Sequence, residues 1–194
     1  MAGAPLSGVL LAGGGSVRMG RDKTAADFLF RGEPLAARVA RLMREACDDV
    51  VVASGDGVRM AWLDLPQVAD EAPGSGPLGG LVAGLVRARH LLVAAVAADL
   101  PFASPAVLRL LSSEADGFDA VLPLSERGPE PLHGVYARSA AAPLAAALAA
   151  GRPAVRDAVA ELRTRLVEPS EWAGADPTGR FAWNVNRPGD VPGP

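Results

Sequence analysis

The alternation of short apolar runs with segments of helical periodicity restricts the fold of this chain more than any other feature of its sequence. Residues 8–12 and 50–53 form apolar runs of strand length, and each run is followed by a loop that contains glycine. Between them, from Pro34 onward, apolar side chains recur at the three- and four-residue spacing of one helix face. The alternation continues to Leu162, and the longest apolar run, residues 91–97, is typical of a central strand. This pattern predicts a mostly parallel sheet covered by helices on both faces.

The length of the chain indicates how many domains it forms. A chain of 194 residues, 49% of them hydrophobic, has the size and composition of one globular domain. We therefore expect a single domain over residues 1–194, folded as a three-layer α/β/α sandwich with a mostly parallel, Rossmann-like sheet. In sheets of this type, ligands bind in the crevice beyond the carboxyl ends of the strands.

Charge and cysteine content exclude several classes of protein. The formal net charge is -3 and the pI is near 5.4, so the surface offers no general attraction to nucleic acid or to an anionic membrane. The single cysteine, Cys47, cannot form an internal disulfide, and its place among apolar helix positions predicts a small core residue. The first residues contain no basic segment followed by a long apolar stretch, so we expect a cytoplasmic protein.

The loop after the first apolar run has the composition of a phosphate site. Residues 11–23 read L-A-G-G-G-S-V-R-M-G-R-D-K. Glycines let backbone N–H groups approach phosphate oxygens, and Arg18, Arg21 and Lys23 add cationic side chains. The loop is neither a P-loop, because Arg21 and Asp22 stand where Lys and Ser or Thr are required, nor a dinucleotide motif, because Arg18 replaces its last glycine. The alternative interpretation is a tight turn with exposed basic residues.

A carboxylate ends the longest apolar run. Asp99 follows residues 91–98, which places it at the carboxyl edge of a central strand. A buried carboxylate there is costly unless a cation or hydrogen-bond donors compensate it. Mg²⁺ takes one or two carboxylates together with phosphate oxygens, so Asp99 is a candidate magnesium ligand. The alternative is a turn or helix-capping aspartate, but Ser104 before Pro105 is the better helix cap.

These segments carry a resemblance that covers most of the chain. The pattern of residues 11–23 resembles the nucleotide-binding signature of molybdenum cofactor guanylyltransferases, which belong to the Rossmann-like nucleotidyltransferases. Four further motifs resemble those of the same family, in the same order along the chain. They are Gly32-Glu33-Pro34-Leu35, Gly76-Pro77-Leu78-Gly79-Gly80-Leu81, Asp99-Leu100-Pro101, and Asn184-Val185-Asn186 with Pro188 and Asp190.

The resemblance implies an activity and its catalytic residues. It implies transfer of GMP from Mg²⁺-bound GTP to the phosphate of molybdopterin, the organic part of the molybdenum cofactor, with release of pyrophosphate. In this reaction Lys23 contacts the phosphates, Asp99 holds Mg²⁺ and Arg18 stabilises the leaving pyrophosphate. The nucleotide-binding residues that the resemblance implies are Leu11, Ala12, Gly13, Gly14, Lys23, Asp70, Gly76 and Asp99.

The resemblance also assigns the base and the acceptor. Asp70 contacts the nucleotide, and its carboxylate can accept hydrogen bonds from N1–H and the exocyclic amine of guanine; the alternative is a solvated loop aspartate. Asn184 and Asn186 share one face of an extended segment and line the acceptor side; the alternative is a pair of turn asparagines. One departure is Ser54, which follows Ala53 where the family often has Asn, and Ser54 is the candidate replacement.

Three other residues have less specific interpretations. Arg187 stands at the threonine position of the closing motif, where it could meet an acceptor phosphate. His133 is expected to be a hydrogen-bonded residue of an edge strand rather than a catalytic group. Trp172 and Trp183 could stack on a pterin or a base, but core packing explains them equally well.

Several rival functions share the predicted fold. A cytidylyltransferase acting on the same cofactor is the nearest, but Ala12-Gly13-Gly14 and Asp22-Lys23 favour guanine by the resemblance. Transfer to a sugar or polyol phosphate is a second rival. A non-catalytic nucleotide-binding module is a third, against which the presence of both Lys23 and Asp99 argues.

Overall fold

The computed structural model describes residues 4–13, 28–70 and 74–185, and these residues form a mixed α/β fold. The strands in the described residues are β1 (Leu6–Leu11), β2 (Leu29–Phe30), β3 (Glu33–Pro34), β4 (Asp49–Gly55), β5 (Gln67–Ala69), β6 (Leu92–Ala97), β7 (Ala120–Ser125), β8 (Gly128–Pro129), β9 (His133–Ala137) and β10 (Thr164–Val167). The α-helices are α1 (Leu35–Arg44), α2 (Gly76–Arg87), α3 (Pro105–Ser113), α4 (Ala141–Ala149), α5 (Val155–Ala160) and α6 (Pro169–Trp172). None of the helices in the described segments is long and apolar enough to cross a membrane.

The main sheet has the order β10-β7-β9-β6-β1-β4-β5, and β8 pairs with β7. β1 lies between β4 and β6 and is parallel to both. β5 is parallel to β4, so four neighbouring strands run in one direction and end at the same edge. β9 is antiparallel to β6 and β7. The prediction of a mostly parallel sheet is therefore confirmed.

The two faces of the sheet are covered by different helices. Successive residues of β1 point to opposite faces, as a strand requires. Leu10 packs in a buried cluster with residues of α1 and α3, whereas Val9 packs in a second cluster with residues of α2 and α4. A Cβ on Gly84 of α2 would lie 2.3 Å from Cγ1 of Val9, so this glycine permits the close approach of α2 to β1. These layers confirm the predicted three-layer arrangement.

The structure agrees with most of the predicted elements and adds several short ones. Ser104 caps α3 as expected, because its hydroxyl accepts the backbone N–H of Val107 at 3.3 Å. Cys47 is 7% exposed, as expected of a core residue. Burial and the neighbouring charges of Asp49 and Asp48 raise the pKa of its thiol to about 12. The strands β5 and β10 and the β2–β3 hairpin were not predicted, because each is short and lacks a long apolar run.

The predicted position of His133 is wrong. β9 is an interior strand between β6 and β7, and His133 is completely buried in it. Its Nε2 accepts the backbone N–H of Ser104 at 3.0 Å, and its ring lies 4.9 Å from that of Phe181. Burial lowers the pKa of His133 to about 4, so the ring is neutral at pH 7. The residue links the sheet to the start of α3, and the expected hydrogen bond is present.

The buried imidazole should make stability depend on pH. Between pH 6.5 and about 4 the unfolded chain binds a proton at His133 that the folded protein does not accept. The free energy of unfolding should therefore fall as the pH decreases through this interval. His133→Gln removes the titration and keeps an acceptor for the Ser104 N–H. Urea unfolding at several pH values should show a smaller fall for the variant than for the wild type; parallel pH profiles would contradict this account.

Candidate functional site

The candidate site lies at the edge where β1, β4, β5 and β6 end. The Ala12 N–H donates to the carbonyl oxygen of Ala53 at 2.9 Å, and the Ala98 N–H donates to that of Leu11 at 3.0 Å. The end of β1 is thus held on both sides. A Cβ on Gly13 would lie 3.2 Å from the backbone nitrogen of Gly55, so the loops after β1 and β4 approach closely at this point.

Asp70 lies directly after β5 at the same edge. Its backbone N–H donates to the carbonyl oxygen of Gly55 at 3.0 Å. Its half-buried carboxylate faces the first turns of α2, where a Cβ on Gly79 would lie 3.4 Å from Oδ2 and one on Gly80 would lie 3.7 Å from Oδ1. Burial raises the pKa of Asp70, and the charge of Arg59 opposes that shift.

One oxygen of this carboxylate is buried without a partner. Within the described part of the chain, Oδ1 of Asp70 has no hydrogen-bond donor. Buried polar atoms in folded proteins are almost always hydrogen-bonded, because an unsatisfied one costs about 1–3 kcal/mol. Oδ1 therefore has the properties of an acceptor for a donor on a ligand.

Gly76 begins α2 with a backbone φ of +64°, which L side chains rarely adopt. Pro77 follows in the first turn of the helix, a position in which its missing N–H is tolerated. Gly79 and Gly80 are buried and place no side chain between α2 and the Asp70 carboxylate. The glycines of the predicted motif thus let the start of α2 pack closely against Asp70.

Asp99 follows β6, as the sequence predicted. It is half-buried, and its backbone carbonyl accepts the Val185 N–H at 2.9 Å. The next turn is fixed by Arg38, whose Nε donates to the carbonyl oxygen of Pro101 at 2.7 Å. In the described segments no group of three His, Cys, Asp or Glu residues forms a metal cage. A single carboxylate at a ligand crevice still fits Mg²⁺, which is commonly held by one or two carboxylates plus phosphate oxygens and water.

The bond between Val185 and Asp99 brings Asn184 to the same edge. Oδ1 of Asn184 accepts a hydrogen bond from Nη1 of Arg127 at 3.4 Å. Arg127 also donates to Oε1 of Glu130 at 3.3 Å and to the carbonyl oxygen of Ala182. Asn184 is therefore placed by an arginine from the β7–β8 hairpin, which the sequence gave no reason to select.

The two tryptophans line one cavity together with Arg127, the arginine that is bonded to Asn184. A cavity of about 510 Å³ is lined by Arg127, Trp172 and Trp183, among others. Nε1 of Trp172 donates to the carbonyl oxygen of Leu124 at 3.0 Å, and its ring lies 5.0 Å from that of Phe181. The side chain of Trp172 therefore packs against the core and also lines this cavity.

Arg59 is a second residue that sequence reasoning missed. Its Nη2 donates to the carbonyl oxygen of Ala12 at 2.6 Å and to that of Ser54 at 3.0 Å. Ser54, near the end of β4, is 1% exposed, and its hydroxyl donates to Oδ1 of Asp56 at 3.4 Å. Arg59 is therefore the cation next to Ser54, which stands where the family often has Asn. In the sequence, Arg59 is marked only as a lone arginine after a glycine-rich turn.

The structure thus brings together part of the predicted site. The residues that meet at the common edge are Leu11, Ala12, Gly13, Asp70, Gly76 and Asp99, with Asn184 beside Asp99. The other predicted residues lie outside the described ones. They are Gly14, Arg18, Lys23, Asn186 and Arg187.

Comparison with known proteins agrees with this geometry. Residues 8–169 match the family model of the MobA-like NTP transferase domain. A protein of Chloroflexus aggregans named probable molybdenum cofactor guanylyltransferase is 38% identical over 192 residues, which cover 96% of this chain and 91% of that protein. The molybdenum cofactor guanylyltransferase of Desulfosudis oleivorans is 30% identical, over 93% of this chain and 90% of that protein.

A solved structure has the same architecture. The molybdopterin-guanine dinucleotide biosynthesis protein A of Archaeoglobus fulgidus has a TM-score of 0.80 to this chain at 28% identity, with 95% of this chain and 94% of that chain covered. This similarity supports the Rossmann-like fold assignment, and the residues matched by the family model include Asp70 and Asp99. The chain is therefore a nucleotidyltransferase and belongs to the MobA-like NTP transferase family.

Proposed function

We propose that this protein transfers GMP from Mg²⁺-bound GTP to the phosphate of molybdopterin and releases pyrophosphate. The observation that carries the choice of GTP is the buried Asp70 oxygen that has no donor within the described segments. The acceptor is supported by the names of relatives, among them the molybdenum cofactor guanylyltransferase of Desulfosudis oleivorans.

Guanine suits the Asp70 carboxylate better than cytosine does. Guanine presents N1–H and an exocyclic amine side by side, which are two donors for the two oxygens of one ionised carboxylate. Cytosine presents an acceptor nitrogen beside its amine, so one carboxylate oxygen would face a lone pair. Gly79 and Gly80 let the start of α2 lie close to this carboxylate, since a Cβ on either would lie within 3.7 Å of one of its oxygens.

The phosphates lie, in this proposal, between the base site and Asp99. Gly13 supplies a backbone N–H group, and Lys23 and Arg18 supply positive charge to the triphosphate and the leaving pyrophosphate. Mg²⁺, when bound, neutralises charge on the phosphate oxygens. Asp99 holds the ion at the end of β6, where the Val185 N–H fixes its backbone carbonyl.

The chemistry then depends mainly on positioning. An oxygen of the acceptor phosphate forms a bond to the α-phosphorus, and the bond to pyrophosphate breaks in line with it. The protein contributes by aligning two anions and by stabilising the charge that develops between them. Asn184, held by Arg127, and Asn186 orient the acceptor on the side opposite the leaving group.

Pyrophosphate release with GTP, CTP and ATP tests this proposal. Each triphosphate is supplied with Mg²⁺ and molybdopterin, and we expect release with GTP. Faster release with CTP would identify a cytidylyltransferase and contradict the role of Asp70. Release only with a sugar or polyol phosphate as acceptor would overturn the acceptor assignment. Triphosphate binding without any release would indicate a non-catalytic module.

The role of Asp99 can be tested with a matched pair of variants. Asp99→Asn should reduce the rate of pyrophosphate release by about 100-fold or more, since one group that stabilises developing charge is lost. Asp116→Asn changes an exposed aspartate at the other end of the sheet and should leave the rate unchanged. Calorimetry should also show that Mg²⁺ no longer strengthens GTP binding to Asp99→Asn. An unchanged rate and an unchanged effect of Mg²⁺ would remove Asp99 from the metal site.

A further inference from the structure

Arg59 connects the two loops that flank the candidate nucleotide crevice. Its guanidinium bridges the carbonyl oxygens of Ala12, at the end of β1, and Ser54, in β4, at 2.6 and 3.0 Å. These carbonyls belong to neighbouring strands of the parallel part of the sheet. A charged donor shared by two carbonyls is stronger than a neutral one, so the bridge fixes the separation of the two loops.

The backbone of Arg59 is held from both sides. Oδ1 of Asp56 accepts the N–H groups of Val58 at 3.0 Å and of Arg59 at 2.8 Å. The next residue, Met60, is completely buried, and its N–H donates to Oε1 of Gln67 at 3.0 Å. The main chain is anchored on both sides of Arg59, and this restricts the positions that its side chain can take.

The charge of Arg59 acts on the carboxylate that faces the base. Asp70 follows β5, and its N–H is bonded to the carbonyl of Gly55, one residue after Ser54. The half-buried position of Asp70 disfavours its ionised form, and the positive charge of Arg59 favours it. Arg59 is thus bonded to Ala12, the first residue after β1. Its charge also acts on the pKa of Asp70, the first residue after β5.

We propose that Arg59 is a positioning residue for selection of guanine: it bridges Ala12 and Ser54, and so fixes the end of β4, whose Gly55 carbonyl holds Asp70 toward the base. The inference rests on the proposed use of GTP. An ionised carboxylate offers an acceptor to each of the two guanine donors. Both acceptors are used only when the carboxylate is held at the correct position relative to the base, which is the role proposed for Arg59.

Inosine triphosphate (ITP) distinguishes a role of Arg59 in base recognition from a role in phosphate binding. Inosine lacks the exocyclic amine of guanosine but has the same sugar and phosphates, so the ratio of GTP to ITP affinity measures the second hydrogen bond to Asp70. A hydrogen bond to a charged group contributes about 1.5–3 kcal/mol, which corresponds to roughly 10- to 150-fold in affinity. Contact of Arg59 with the phosphates would affect GTP and ITP equally.

The experiment is a double-mutant cycle on the full chain. The affinities of Mg²⁺-GTP and Mg²⁺-ITP are measured by calorimetry for the wild type, Arg59→Met, Asp70→Asn and the double variant. The wild type should prefer GTP by about 10-fold or more, and Arg59→Met should lose most of this preference. In the Asp70→Asn background the Arg59 substitution should not change the ratio, because its effect passes through Asp70.

Two further variants serve as controls. Arg59→Lys retains a positive charge and should recover part of the preference for GTP. Arg109→Met removes an arginine that also donates to a backbone carbonyl, that of Glu45, and should leave the ratio unchanged. If Arg59→Met is unfolded at the assay temperature, Arg59→Gln, whose shorter side chain cannot bridge both carbonyls, replaces it.

The outcomes distinguish the inference from the function on which it rests. A wild type without a preference for GTP over ITP would contradict the role of Asp70 in the proposed function. A wild-type preference that persists in Arg59→Met, or an equal loss of affinity for both nucleotides, would overturn the role of Arg59 alone. A loss of preference in Arg59→Met that is just as large in the Asp70→Asn background would also overturn it.

Discussion

The last residues of β1 are hydrogen-bonded on both sides, through Ala12 to Ala53 and through Leu11 to Ala98. These bonds hold the ends of three parallel strands at one level. The loops that leave these strands therefore start from fixed positions, and the candidate ligand crevice lies between them. Gly13 lies close to the end of β4 at this edge, where a Cβ on Gly13 would lie 3.2 Å from the backbone nitrogen of Gly55.

The same edge carries a carboxylate whose burial is unfavourable in the free protein. Oδ1 of Asp70 is buried without a donor in the described segments. The surrounding layers compensate for this cost, since both faces of the sheet are packed with buried apolar side chains. A carboxylate oxygen buried without a donor, at the edge where parallel strands end, is typical of a site at which a ligand supplies that donor.

The sequence predicted the parts of the fold that depend on local pattern. β1, β4 and β6 follow from apolar runs, α1 from helical periodicity, and the position of Asp99 from its place after the longest run. The interior place of β9 could not be predicted, because strand order depends on long-range pairing; the expectation that His133 lies on an edge strand failed for this reason.

The missed site residues also depend on long-range contacts. Arg59 meets Ala12 across 47 positions, and Arg127 meets Asn184 across 57. No local motif marks either arginine, whereas Asp70 and Gly76 could be selected from a motif. The sequence therefore predicted the residues proposed to touch the nucleotide better than the residues that hold them in place.

A crystal structure of the protein with GTP and Mg²⁺ would test the central claim most directly. The account predicts that guanine N1–H and the exocyclic amine donate to the Asp70 carboxylate and that Mg²⁺ contacts Asp99. It would be contradicted by a base that binds away from Asp70, or by a metal ion held without Asp99.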